Sequence, residues 1–114
     1  MLRNLEVNPV PACARNHKMY FTYVLLSTKD GKFYTGATHN LDRRFGEHNE
    51  GLNVSTAHRR PLSLVLFEAC PSKTDALRRE KYLKSGKGKI YLKKRLKYTM
   101  AVAPQRRERD APYT

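Results

Sequence analysis

Hydrophobic positions recur with a period of two in the first third of the chain and at helical spacing further on. Residues 20–27 (YFTYVLLS) are aromatic and β-branched, which predicts a strand. Alternation sets Phe21, Tyr23 and Leu25 on one face against Tyr20, Thr22, Val24 and Leu26 on the other. Asp30-Gly31 supplies a turn, and Phe33 to Ala37 returns as the antiparallel partner of a hairpin. Gly36, at the end of that partner, permits a tight exit or close approach of a ligand to the backbone. Residues 62–70 (LSLVLFEAC) are almost continuously apolar, which predicts a third strand at the centre of the sheet.

Helical patterns lie between and after these strands. Asn40 as N-cap, Asp42 in the first turn and Gly51 as a stop delimit a short helix over 41–50. Leu41, Phe45 and His48 share one side of it, and Arg44 lies one turn before His48. Gly46 marks either weakness or close packing, because glycine costs about 1 kcal/mol against alanine within a helix. Residues 51–61 read as a polar, basic loop. Ser72 followed by Asp75 starts a helix from Lys73 to about Ser85, with Ala76, Leu77 and Leu83 apolar and Tyr82 at the margin. Gly86 and Gly88 break it, and a second helix is expected over about 89–99, using Ile90, Leu92 and Leu96. The proline-containing stretches 1–18 and 100–114 show no sustained pattern, so they read as a loose arm and a flexible tail around a domain at 19–99. Met19 stands directly before the first strand and is an alternative start to Met1. No internal repeat is visible.

Composition narrows the class. A chain of 114 residues holds one domain with one modest core. No apolar run is long enough to span a bilayer, which argues against a membrane partner. Residues 1–18 lack the layout of a secretory signal, so a cytoplasmic location is expected. Cys13 and Cys70 then read as free thiols, and the lone Cys13 and His17 pair is too little for structural zinc. The net charge of +13, from 23 Lys and Arg against 10 Asp and Glu, favours an anionic polymer as partner through counterion release. A merely soluble basic protein, or a ribosome-associated one, would carry the same charge.

A few polar residues stand out against this background. Glu80 is the only carboxylate between Ala76 and Arg107, and it falls on the helix side that should meet the sheet. It reads either as an ion-pair partner of Lys84 or Arg44, or as the ligand of a hard divalent cation that keeps several waters. Tyr23 and Tyr34 lie on paired strands and could stand side by side, as ordinary sheet packing or as reactive phenols. A phenol titrates near 10, so it works as a base only beside a cation. Arg44 with His48 is either a solvated face or a clamp on a phosphate.

Taken in order, Tyr23, Tyr34-Thr35-Gly36, Arg44, His48 and Glu80 resemble the GIY-YIG endonuclease family. The likeness runs from Tyr20 to Tyr98. It is closest to small stand-alone bacterial members related to the N-terminal nuclease half of the excision-repair excinuclease, echoed in Arg60-Pro61, Phe67-Glu68-Ala69, Asp75-Ala76 and Arg79 to Ser85. The chain departs from the pattern with Phe21-Thr22 before Tyr23, with Thr35 inside the second motif, with Ala37 where some members carry lysine, and without an asparagine after Glu80. The resemblance implies an α+β fold, a small three-stranded antiparallel sheet flanked by helices. It implies a DNA endonuclease, acting in repair or processing on branched, nicked or flapped DNA, with room for a partner protein that supplies specificity. One Mg²⁺ or Mn²⁺ would sit at Glu80, Arg44 would neutralise the phosphoryl group, and Tyr23 would act as base, with Tyr34 orienting it or sharing the role and His48 positioning or acidifying it. Binding would fall to Arg43, Arg59, Arg60, Lys81, Lys84, Lys87 and Lys89. The competing reading is a non-catalytic module for nucleic acid, RNA-directed or ribosome-associated, that keeps the nuclease fold.

Overall fold

The computed structural model describes residues 18–102; Met1, Cys13 and the expected arm and tail lie outside the described residues, except for Lys18 and for residues 100–102, which are helical where a tail was expected. Strands β1 (Tyr20–Ser27) and β2 (Phe33–Thr38) form the expected hairpin. Helix α1 (Leu41–Asn49) follows, then a 3-10 turn (Ala57–Arg59), strand β3 (Leu62–Cys70) and helices α2 (Lys73–Lys84), α3 (Gly86–Arg95) and α4 (Lys97–Val102). The sheet is antiparallel with order β2-β1-β3, so the α+β architecture is as expected.

One strand is misplaced by the sequence reading. The centre of the sheet is β1, buried from Thr22 to Ser27, and β3 is an edge. The apolar run of β3 has another cause. Its register against β1 shifts between Val24 and Leu25, so that Val24 faces Leu66 and Leu25 faces Leu64. This bulge leaves Val65 and Leu66 both packed against the same cluster and breaks the alternation an edge strand would otherwise show. Further along, Phe67 is half exposed.

Both faces of β1 are covered, which the period-two reading anticipates. Tyr23 and Leu25 meet Leu41 and Phe45 of α1, together with Leu62 and Leu64. On the opposite face Val24 meets Leu83 of α2 and Leu92 and Leu96 of the C-terminal helices. Thr22 tightens that face by donating to the Ala76 carbonyl at 2.9 Å. The caps behave as expected: Asn40 accepts from the Arg43 amide and Ser72 from the Asp75 amide. No neighbour lies near Gly46, so that glycine serves no close packing.

The C-terminal third differs from expectation. Gly86 and Gly88 belong to the first turn of α3, and the single helix expected over about 89–99 is divided into α3 and α4. Ser85 ends α2 and caps α3, its hydroxyl accepting from the Gly88 amide at 3.1 Å. A side chain at Gly88 would collide with the backbone of Tyr82 and Leu83, so glycine is what lets α3 fold back against α2. That turn points Ile90 outward, and Leu77 is likewise exposed on α2. Among the described residues no helix is long and apolar enough to cross a membrane. Cys70 is a half-buried free thiol.

Leu83 is fully buried where α2 meets β1 and the C-terminal helices. Leu83→Ala is expected to cost about 2–5 kcal/mol of unfolding free energy in a denaturant titration. The exposed Leu77→Ala serves as the control and should change stability by less than about 0.5 kcal/mol.

Candidate active site

His48 lies in the last turn of α1, on the side that carries Leu41 and Phe45 into the core, and it is wholly buried. Its Nε2 is 2.9 Å from the Tyr23 hydroxyl and its Nδ1 is 2.7 Å from the Thr56 hydroxyl. Gly51, with φ at +78°, turns the chain after α1, and Thr56 and Ala57 amides bond back to the Asn53 carbonyl. That compact turn brings Thr56 under the ring. Tyr34 meets the same imidazole edge to face, with centroids 5.1 Å apart. Gly36 stands opposite Tyr23 across the hairpin, and a Cβ there would strike the phenol ring, with its Cζ only 2.6 Å away.

The protonation states follow from these contacts. Burial, with the Arg44 charge adding to it, lowers the His48 pKa, while Glu47 acts the other way. Burial raises the Tyr23 phenol above its ordinary range; Tyr34, Glu80 and Glu47 push in the same direction and Arg44 opposes them. A protonated, nearly inaccessible phenol needs an acceptor, and His48 Nε2 is the partner it has. The neutral ring then carries its proton on Nδ1 and donates it to Thr56 Oγ1.

Charged groups ring this cluster. Arg44 pairs with Glu47 at 3.3 Å, its side chain 38% exposed. Glu80, 21% exposed, is paired with Lys84 at 2.8 Å through Oε2. The alternative that the sequence offered for Glu80, an i, i+4 ion pair, is therefore present. Its charge still acts on the Tyr23 phenol, which places the carboxylate within electrostatic reach of the cluster. Among the described residues no three His, Cys, Asp or Glu side chains gather into a closed metal cage. A partly exposed single carboxylate does fit a hydrated Mg²⁺ or Mn²⁺, which binds through one or two carboxylates and completes its shell with waters and substrate phosphate.

With this geometry in view, the comparison with known proteins is decisive: the GIY-YIG catalytic domain matches residues 19–97. The chain belongs to the GIY-YIG family. UPF0213 protein CPE1444 of Clostridium perfringens is 42% identical over 67 residues, covering 58% of this chain and 71% of that protein. UPF0213 protein YazA of Bacillus subtilis is 33% identical over 95 residues, covering 82% and 88% respectively. The solution NMR structure of UPF0213 protein BH0048 from Bacillus halodurans is 33% identical, covers 83% of this chain and 89% of that one, and gives a TM-score of 0.44. The resemblance read from the two tyrosine motifs to Glu80 thus holds at the level of the family.

Within this GIY-YIG domain the residues expected to bind nucleic acid fall into two groups. Arg43, Lys81, Lys87 and Lys89 are exposed, Arg43 with a long 3.9 Å contact to Glu47. Three others are already engaged. The Arg59 guanidinium bonds Asp30 Oδ2 at 2.9 Å and the carbonyls of Lys32 and Phe33, and its side chain is 17% exposed. It staples the loop before β3 to the hairpin turn, where Ser27 also donates to the Arg59 carbonyl. Arg60 donates to the Ala57 carbonyl and packs over Gly51, and Lys84 holds Glu80. Thr56 is the member of the His48 cluster that sequence reasoning missed. A threonine in a polar loop carries no spacing signal, and only the fold puts it under His48.

His48 is buried neutral, with a folded pKa below its ordinary 6.5. The unfolded state therefore takes up the proton first, and stability is expected to fall as pH drops below about 6.5. Thermal unfolding from about pH 8 to about pH 5 should show this fall, and His48→Gln should flatten it. Thr56→Val, which leaves Nδ1 without a partner, should cost about 1–3 kcal/mol at neutral pH.

Proposed function

We propose that this chain is a divalent-cation-dependent DNA endonuclease that selects substrates by structure, such as flaps, branches or nicks, in cytoplasmic DNA repair or processing. The observation that supports this reading best is the buried Tyr23–His48–Thr56 chain, with Tyr34 against it and Arg44 and Glu80 within electrostatic reach. A neutral imidazole locked between two hydroxyls is more than a sheet tyrosine needs for packing.

The side chains divide the work as follows. Arg44, one turn before His48 and partly exposed, neutralises charge on the phosphoryl oxygens. The hydroxyl of Tyr23 is committed to His48 and burial keeps it protonated, so Tyr23 is better suited to positioning than to standing as a phenolate. The base role passes to Tyr34, the half-buried phenol packed edge to face with the imidazole. Glu80 holds the cation, with Lys84 giving up or sharing the carboxylate. When bound, the cation supplies Lewis-acid stabilisation of a non-bridging oxygen and of the leaving 3′-oxygen. A partner protein would supply further specificity, since a domain this small has little surface for reading bases.

The Glu80–Lys84 pair favours a second reading, a binding module without activity, in which the carboxylate serves only α2. Incubation with nicked, branched and flapped DNA separates the two. Cutting is expected with Mg²⁺ or Mn²⁺ and not in chelator, and Glu80→Ala should slow it about a hundredfold or more. If Glu80→Ala and Tyr34→Phe cut as well as the parent, the assignment of these residues fails; if the parent cuts none of these DNAs with either cation, the binding module remains. In chelator, DNA affinity should fall by orders of magnitude between about 50 mM and 200 mM salt.

A further inference from the structure

A cleft of about 300 Å³ opens beside Arg44, where the end of β2, the start of α1 and the first turn of α2 converge. Its cations are Lys18, Arg43, Arg44 and Lys73, with His39 among them, and no carboxylate lines it. Among the described residues Lys18, His39 and Lys73 make no ion pair. The rest of the lining is different in character. Tyr20, Ala37, Ala76 and Leu77 supply apolar surface beside Thr38, and Leu77 is a large hydrophobic side chain left 46% exposed at that position.

We propose that this cleft holds one unpaired nucleotide of a DNA strand, next to the phosphate that is cut. The proposal rests on the nuclease reading for the place of that phosphate, because Arg44 belongs both to the cleft and to the catalytic cluster. Size limits the occupant. The volume lies at the lower bound of small-molecule sites, about 300–1,000 Å³. A cleft of that volume has room for a single nucleotide, whereas an intact duplex, two paired strands thick, has to lie across the mouth. Chemistry limits it further. The cations of the lining suit the phosphates flanking the nucleotide, and the apolar surface of Tyr20, Ala76 and Leu77 suits the face of an unstacked base. Base pairing would withhold that face from the protein. Preference for flaps or branches then has a physical origin, since only at such junctions is a nucleotide next to the cut already free of its stack.

Fluorescence anisotropy in chelator tests this without requiring turnover. The probes are a labelled single-stranded oligothymidylate and a blunt duplex of the same length. The unaltered protein is expected to bind the single strand about fivefold or more tightly than the duplex. Leu77→Asp and Lys73→Glu, both at exposed positions, should weaken the single strand by about fivefold and the duplex by less than about twofold. Equal affinity for the two probes, or an equal loss on both in the variants, would overturn the proposal. Cation-dependent cutting without a single-strand preference removes the cleft and leaves the nuclease reading. A single-strand preference in a protein that never cuts removes the nuclease reading, and with it the place of a cut phosphate, and leaves the cleft as a site for an unpaired nucleotide.

Discussion

A histidine with no access to water must find partners for both ring nitrogens inside the protein, because an unpaired buried polar atom costs about 1–3 kcal/mol. His48 finds them in Tyr23 on the central strand and Thr56 in the loop after α1. This requirement ties three separate parts of the chain to one point. The hairpin must present Tyr23 with room for its ring over Gly36, α1 must turn His48 inward, and the loop must double back through Gly51 to deliver Thr56. Leu41, Phe45, Leu62 and Leu64 close the same face around Tyr23 and Leu25. The polar chain and the core face are therefore one unit: neither half can move without exposing the other.

Charge is arranged around that unit by distance from water. The neutral members, the imidazole and the Tyr23 phenol, are innermost, where desolvation disfavours any ion. Arg44 and Glu80 are placed further out, each partly exposed and each held by a helical neighbour, Glu47 and Lys84. Exposed pairs of this kind are worth only a fraction of a kcal/mol to about 1 kcal/mol, so they orient side chains without locking them. A phosphate or a cation arriving with more charge can take over either partner. The same Glu80–Lys84 pair is thus compatible with a resting nuclease and with an inert helix surface, and its presence alone decides for neither.

Much of this was legible in the residue pattern. The hairpin, the caps at Asn40 and Ser72, and the inward side of α1 follow from local rules that the fold had no reason to override. The place of β3 did not, because a bulge and a central position both produce an unbroken apolar run, and periodicity cannot separate them. The division of α3 from α4 was hidden for a related reason: Gly88 reads as a breaker until α2 is seen packed against it. At the site, Tyr23, Tyr34, Arg44, His48 and Glu80 were visible as chemistry at suggestive spacing. Which hydroxyl accepts and which donates depends on burial and on Thr56, and neither leaves a trace in one dimension.

The basic excess carries the same lesson about what a net charge can and cannot locate. Arg59 spends its guanidinium on Asp30 and two carbonyls, Arg60 on the loop backbone, and Lys84 on Glu80. These cations hold the scaffold together and are poorly placed to meet a polymer. The rest are not spread evenly, since Lys73 and Lys18 converge with Arg43 and Arg44, both of which contact Glu47, on a single cleft that no acid lines. A field built from such a cluster is strongest where the low-dielectric walls focus it, at the cleft itself. On the proposed nuclease reading, an anionic strand would be drawn first to the place where Arg44 links the cleft to the Tyr23–His48–Thr56 cluster, so that binding and positioning become one event.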